Sequence, residues 1–167
     1  MVAKHGETMS TLIDVAINLL SERQYTEHEL KKQLEKSFAD VPNIDGVINA
    51  TIERLRELHL INDFHLAQSI ALRYSHKGDR FIIQFLRQKG IDVEVIDKAL
   101  AVLGDEYPRA LDEARLKGRE SHGERPEKRK AQLVRFLSGR GFSHETIKSV
   151  VSHLSEEGFF TCKDNFS

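Results

Sequence analysis

One cysteine, Cys162, is all that this 167-residue chain carries, so no internal disulfide can form. That usage fits a reducing compartment. Tryptophan is absent and prolines number three, which leaves little to suggest a sandwich, a barrel or a Pro-rich linker. No apolar run approaches the roughly 18–20 residues that a membrane-spanning helix needs. The opening MVAKHGETMS lacks the apolar core of a signal peptide. A cytoplasmic protein with no membrane partner is the expectation. Catalytic signatures are missing too: there is no Gly-rich phosphate loop and no Gly-x-Ser-x-Gly nucleophile turn. Eight histidines invite a metal reading, but none forms an i, i+4 pair and no HExxH is present. These gaps argue against an enzyme, a metal site or a cofactor. Nor is there an excess of one charge, since 25 Lys/Arg meet 26 Asp/Glu. Nothing global demands nucleic acid.

The distribution of charge says more than its sum. From Arg115 to Arg140 nine Lys/Arg stand against three Glu, and from Phe64 to Gly104 six stand against four Asp/Glu. The acidic share lies elsewhere, including the Gly104–Glu113 region.

What the chain has in quantity is helical periodicity. In the central stretch Asn62 and Asp63 are helix-capping types, followed at helical spacing by Leu66, Ala67, Ile70, Ala71 and Tyr74. Ile82, Ile83, Phe85 and Leu86 make a second apolar face, which Gly90 ends. Asp92 opens a third helix with Val95, Ile96, Ala99, Leu100 and Leu103 on one side. Before this unit, Leu12, Val15, Ala16, Leu19 and Leu20 form a stripe. Thr26 and Glu29 make a capping-box pair, and Val47, Ile48, Ile52 and Leu55 mark a third helix. After it, Pro126 suits the first turn of a helix and Ser143 caps another.

A shift of 51 residues places Ile82 on Leu133, Phe85 on Phe136, Leu86 on Leu137, Gly90 on Gly141, Glu94 on Glu145, Ile96 on Ile147 and Leu103 on Leu154. The first unit fits the same scheme with a longer turn, Leu34 matching Leu86 and Ile48 matching Ile96. The expected fold is therefore all-α, with three tandem three-helix repeats in an elongated, curved array. The expected division is a loose leader at 1–9, repeats at 10–61, 62–104 and 105–158, and a tail at 159–167.

The central stretch resembles the RecX family, regulators of the RecA recombinase. The residues that carry the likeness are Leu60-Ile61-Asn62-Asp63-Phe64-His65-Leu66-Ala67, then Lys77-Gly78-Asp79-Arg80 and Arg87-Gln88-Lys89-Gly90-Ile91. Asn62, Leu66 and Phe85 depart from the family's usual residues. Ala16–Leu20 with Thr26–Leu30, and Phe136–Phe142, resemble the family's first and third repeats. The resemblance implies a binding protein without a reaction of its own. It would attach to the RecA filament on single-stranded DNA and lower ATP hydrolysis, strand exchange and co-protease activity. Single-stranded DNA would be met directly or through the filament.

Two basic groups are the candidate contact surfaces. The central one is Arg73, Lys77, Arg80, Arg87 and Lys89, suited to phosphates or to acidic groups on a partner. The second is Arg125, Lys128, Arg129, Arg135 and Arg140, with Lys130 beside them. Phe136 is assigned to the apolar face, so no aromatic is expected among these cations and no stacking platform for single strands. Tyr74 and Phe81 are expected to close the top of the core. Phe159 and Phe160 either pack back or stay exposed. A competing reading is an independent DNA-binding protein using one three-helix unit as a helix-turn-helix. Asp92, Glu94 and Asp97 disfavour the sixth helix for that role, whereas the third carries Arg54 and Arg56 beside Glu53 and Glu57.

Overall fold

A computed structural model describes the backbone of residues 2–118 and 125–161, with side chains from Met9 onward. Among the described residues there are nine helices and no strand. They are α1 Val2–Glu22, α2 Glu27–Ser37, α3 Asp45–Glu57, α4 Asp63–Arg73, α5 Asp79–Gln88, α6 Val93–Ala101, α7 Glu106–Gly118, α8 Pro126–Gly139 and α9 His144–Glu156. The leader expected at 1–9 is instead helical from Val2. No proline lies in this stretch to interrupt the helix. Of the tail, residues 162–167, including Cys162, lie outside the described residues, as does most of the hydrophilic turn before Arg125. No helix among the described residues is long and apolar enough to cross a membrane.

Local chemistry sets the helix starts. Thr26 accepts the amide of Glu29 at 3.1 Å, while the Glu29 carboxylate takes the Thr26 amide at 3.2 Å, completing the capping box. Ser143 accepts the Thr146 amide at 3.1 Å at the start of α9. Asn62 accepts the His65 amide at 3.0 Å at the start of α4. Residues matched by the repeat shift share their environments. Ile82 and Leu133, Leu86 and Leu137, and Ile96 and Ile147 are all buried. Gly90 and Gly141 both turn with positive φ, +75° and +85°. Leu103 is the exception, half-buried where Leu154 is fully buried.

Two compact units result. One is Met1–Ser69 with Leu86–Lys98, and the other is Ile70–Phe85 with Ala99–Ser167. Neither follows the repeat boundaries at 62 and 105: each short central helix contributes one end to each unit. These central helices are short, 9 to 11 residues each, and helices of that length depend on packing against neighbours for their stability. In the first unit Leu12, Leu30, Leu34, Ile48 and Leu55 form a core with no solvent exposure. In the second, Leu137, Phe142, Val150 and Leu154 do so. Phe160 belongs to that core and Phe159 packs against it, so the aromatic pair folds back.

Each unit contains a joint of the same design. In the first, the Thr26 hydroxyl donates to the Lys89 carbonyl at 2.7 Å, and the Glu27 amide donates to Asp63 Oδ1 at 2.9 Å. In the second, the Gly78 amide donates to the Arg140 carbonyl at 3.0 Å, and the Asp79 amide donates to Glu106 Oε1 at 2.8 Å. The acid that opens the first helix of one repeat thus caps the second helix of the repeat before it. Gly78 is required by proximity, since a Cβ there would sit 2.2 Å from the Gly141 carbonyl carbon.

Candidate interaction surface

The central basic group does not form a single set. Arg73, Lys77 and Arg80 belong to one compact unit, and Arg87 and Lys89 to the other. Arg73 ends α4, Arg80 lies in the first turn of α5 and Arg87 in its last. All three are exposed, and none has an ion-pair partner among the described residues. The Lys77 ammonium lies 5.2 Å from the centroid of the Phe81 ring, and its carbonyl accepts a bond from Arg109 at 2.8 Å. Lys89 serves a different purpose from the contact expected of it. Its ammonium pairs with Glu29 Oε1 at 2.9 Å, with both side chains about three-quarters covered. Burial pushes the Glu29 carboxyl up, but the Lys89 bond and the Thr26 amide outweigh it and hold the group below the ordinary glutamate value.

The second basic group is also divided in its roles. Arg125 precedes Pro126, and it, Lys128 and Arg135 are exposed. Arg129 lies 5.7 Å from the Phe159 centroid and Lys130 lies 5.7 Å from that of Phe160. Arg140 is anchored on the protein itself, through Glu113 Oε2 at 2.9 Å and the His76 carbonyl at 3.2 Å. Its guanidinium stands 4.5 Å from the centroid of Phe136, and the Lys117 ammonium 5.7 Å from the same point. Phe136 does pack on the apolar core, as its spacing requires. Yet cations and aromatic rings are interleaved here, contrary to the expectation from sequence, because residues four apart on a helix meet on one face. An open pocket of about 520 Å³ lies over this arrangement, lined by His76, Glu113, Leu116, Lys117, Phe136 and Arg140.

Tyr74, Phe81 and Phe85 form a half-buried cluster, with Tyr74 centred 5.4 Å from Phe81 and 5.1 Å from Phe85. Tyr74 and Phe81, expected to close the top of the core, are thus half-buried against one another and Phe85. On α3, Arg54 pairs with Glu57 at 2.9 Å and Arg56 with Glu53 at 2.6 Å. Arg56 also reaches Glu27 through two bonds, of 2.8 and 2.5 Å. Both arginines are half-exposed and paired with the protein's own acids, which weighs against α3 as a helix-turn-helix recognition helix.

Sequence reasoning passed over Glu106. This residue is 8% exposed, and its carboxylate accepts from the Asp79 amide at 2.8 Å, the Ser143 amide at 3.1 Å and the Thr146 hydroxyl at 2.7 Å. Burial pushes its carboxyl up, but these donors prevail and the net position lies below the ordinary glutamate value. Beside it Arg109 bonds Asp79 and the Lys77 carbonyl, tying the α4–α5 turn to α7. The available hint was the dipeptide Asp105-Glu106, of the same type and place as Asn62-Asp63. Among the described residues no cluster of His, Cys, Asp or Glu could hold a metal ion.

Comparison with known proteins agrees over most of the chain. Residues 105–151 match the family model described as RecX, third three-helix domain. Regulatory protein RecX of Chromobacterium violaceum is 32% identical over 148 residues, which span 87% of this chain and 91% of that protein. Its counterpart in Chlorobium phaeobacteroides is 32% identical over 145 residues, covering 84% of this chain and 91% of the relative. The crystal structure of RecX from Lactobacillus salivarius superposes with a TM-score of 0.75 at 26% identity, covering 90% of this chain and 99% of that one.

Proposed function

This chain belongs to the RecX family of regulatory proteins, and from that premise we propose that it binds the RecA filament on single-stranded DNA and restrains it. Filament growth, ATP hydrolysis, strand exchange and co-protease activity all fall as a result. The observation that carries this reading is the match to regulatory proteins over about nine-tenths of both chains. The surface chemistry supports it: Arg73, Arg80, Arg87 and Arg135 are exposed and without ion-pair partners among the described residues, so their charge is available to phosphates or to acidic groups on the filament. A repeat protein that touches more than one protomer favours assembled filament over free subunits, because the second contact is intramolecular. The protein acts in the cytoplasm, where the filament forms, and needs no catalytic group of its own.

The test is RecA ATP hydrolysis on single-stranded DNA with this protein titrated in at two salt concentrations. A steep loss of hydrolysis at protein levels below those of RecA supports action on the filament. Hydrolysis that falls only when enough protein is present to coat the DNA overturns it in favour of simple DNA binding.

A further inference from the structure

Consecutive carbonyls of the turn between α4 and α5 are each held by a guanidinium. Arg109 Nη1 donates to the Ser75 carbonyl at 3.3 Å and to the Lys77 carbonyl at 2.8 Å. Arg140 Nη1 donates to the His76 carbonyl between them at 3.2 Å. Arg109 Nη2 also bonds the Asp79 carboxylate, where α5 begins. This turn carries Lys77, and Arg80 follows it within the first turn of α5; both lie in the same compact unit as Arg109. Arg109 is not itself placed to meet a partner. Its side chain is 12% exposed, and its Nε is buried without a hydrogen-bond partner among the described residues.

Stability alone does not explain an arginine there. A buried N–H left unpaired costs free energy, and exchanging a covered ion pair for an apolar side chain often leaves stability unchanged or improved. The chain itself carries that apolar alternative. Asp63 opens α4 and Glu106 opens α7, and the fully buried Ala67 and Ala71 follow at the same spacings as the fully buried Ala110 and Ala114. Leu66 therefore stands in α4 at the place that Arg109 holds in α7.

We propose that Arg109 is a positioning residue: it holds the α4–α5 turn in the conformation from which Lys77 and Arg80 meet the filament, without touching the filament itself. The turn's own backbone supplies two bonds, from the Ser75 amide to the Leu72 carbonyl and from the Lys77 amide to that of Tyr74. Arg109 adds bonds to the Ser75 and Lys77 carbonyls and an anchor on Asp79. Without them the turn spreads over more conformers, and apparent affinity falls by the fraction that stays competent. This role rests on the proposed function, which brings Lys77 and Arg80 to the filament.

The test uses the full chain and RecA filaments on single-stranded DNA, with affinity measured over a range of salt concentrations. The variants are Arg109→Leu, which installs the residue of the equivalent place, and the double variant Lys77→Ala, Arg80→Ala. Arg109→Leu is expected to melt within about 3 °C of wild type, on the scale of a near-neutral substitution. Its Ser75, Lys77 and Gly78 amides should exchange faster. It should bind the filament about fivefold more weakly with the wild-type salt dependence, because the contacts made once bound are unchanged. The double variant removes contact charge, so its salt dependence should be shallower. Should the leucine variant fail to fold, Arg109→Lys replaces it: one nitrogen cannot span Ser75, Lys77 and Asp79, so the same loss is expected in smaller measure. Wild-type affinity in a folded Arg109 variant overturns the positioning role. So does a loss with turn amides as protected as in wild type, or one with a shallower salt dependence, which would make Arg109 a direct contact. A double variant that binds like wild type, or a wild type that does not bind the filament, overturns the contact reading itself and the positioning role with it.

Discussion

Replacing Glu106 by alanine removes one carboxylate and orphans three donors. Two are backbone amides at helix starts: Asp79, the first residue of α5, and Ser143, the cap of α9. The third, the Thr146 hydroxyl, can turn toward Ser143 Oγ, already 2.8 Å away. The cost therefore comes mainly from the two amides. Each is partly covered, and an unsatisfied donor of this kind costs about 1–2 kcal/mol, similar to the loss of a helix cap. The total is about 3 kcal/mol, equivalent to a fall in Tm of about 6–12 °C for a chain of this size. Glu106→Gln keeps one acceptor and places an NH2 group among donors, so it restores at most half. The assay is thermal unfolding of both variants with hydrogen exchange at the Asp79 and Ser143 amides, whose protection should fall in both. The pH dependence has a defined sign. The folded-state carboxyl lies below its ordinary value, so its contribution is fully present above that value and is lost as pH falls through the folded-state one. The gap between wild type and Glu106→Gln should close in that window. An alanine variant within about 0.5 kcal/mol of wild type, with both amides still protected, would refute the capping argument.

Five other outcomes follow from the geometry. Gly46 lies in α3 with nothing within 4 Å of an added Cβ, so Gly46→Ala should stabilise by about 0.5–1 kcal/mol. Gly78→Ala drives a Cβ into Gly141 backbone at 2.2 Å and should destabilise by more than about 2 kcal/mol in the same melts. Lys89→Ala should cost about 1 kcal/mol through its pair with Glu29, whereas Arg87→Ala should leave the Tm unchanged; equal effects would contradict the division of roles. Asp63 is shifted upward by burial first, with the Glu27 and Asp92 charges adding to it and the Glu27 amide and Arg56 opposing. Its ionised form therefore costs stability above its folded-state value, and Asp63→Asn, which retains an acceptor for the Glu27 amide, should be neutral or stabilising at pH 7. Charge reversal at Arg73, Lys77 and Arg80 together should weaken filament binding about tenfold at low salt, less at high salt, with helicity unchanged by circular dichroism. Undiminished binding with a normal spectrum would remove that face from the contact surface.

The elements legible in the sequence are those whose causes are local. The capping box of Thr26 and Glu29, the Ser143 cap and the turns at Gly90 and Gly141 each depend on residues within one helical turn, so spacing reveals them. The repeat was legible because it multiplies such signals: Leu86 and Leu137 occupy the same place in the same local pattern and are both fully buried. Glu106 fails on the same criterion. Its donors lie 27, 37 and 40 residues away, and within its own neighbourhood it is one acid among several. Only comparison of the turns before successive repeats, Asn62-Asp63 and Asp105-Glu106, brings it out.

The basic residues illustrate the same limit from the side of function. Counting Lys and Arg along the chain treats each as an equivalent unit of positive surface, although what a partner meets is the charge left after the protein's own acids are satisfied. Lys89 and Arg140 stand at equivalent places, immediately before the two repeat-matched glycines, and both carbonyls accept the bond that holds a joint together. Their side chains are claimed by Glu29 and Glu113 for the same structural reason: each emerges at a crowded helix end, where a nearby carboxylate is within reach. Arg73, Arg80 and Arg87 are exposed and make no ion pair among the described residues, so their charge is not taken up there. What a count along the chain cannot supply is this pairing, because Glu29 and Glu113 lie far in sequence from the cations they hold.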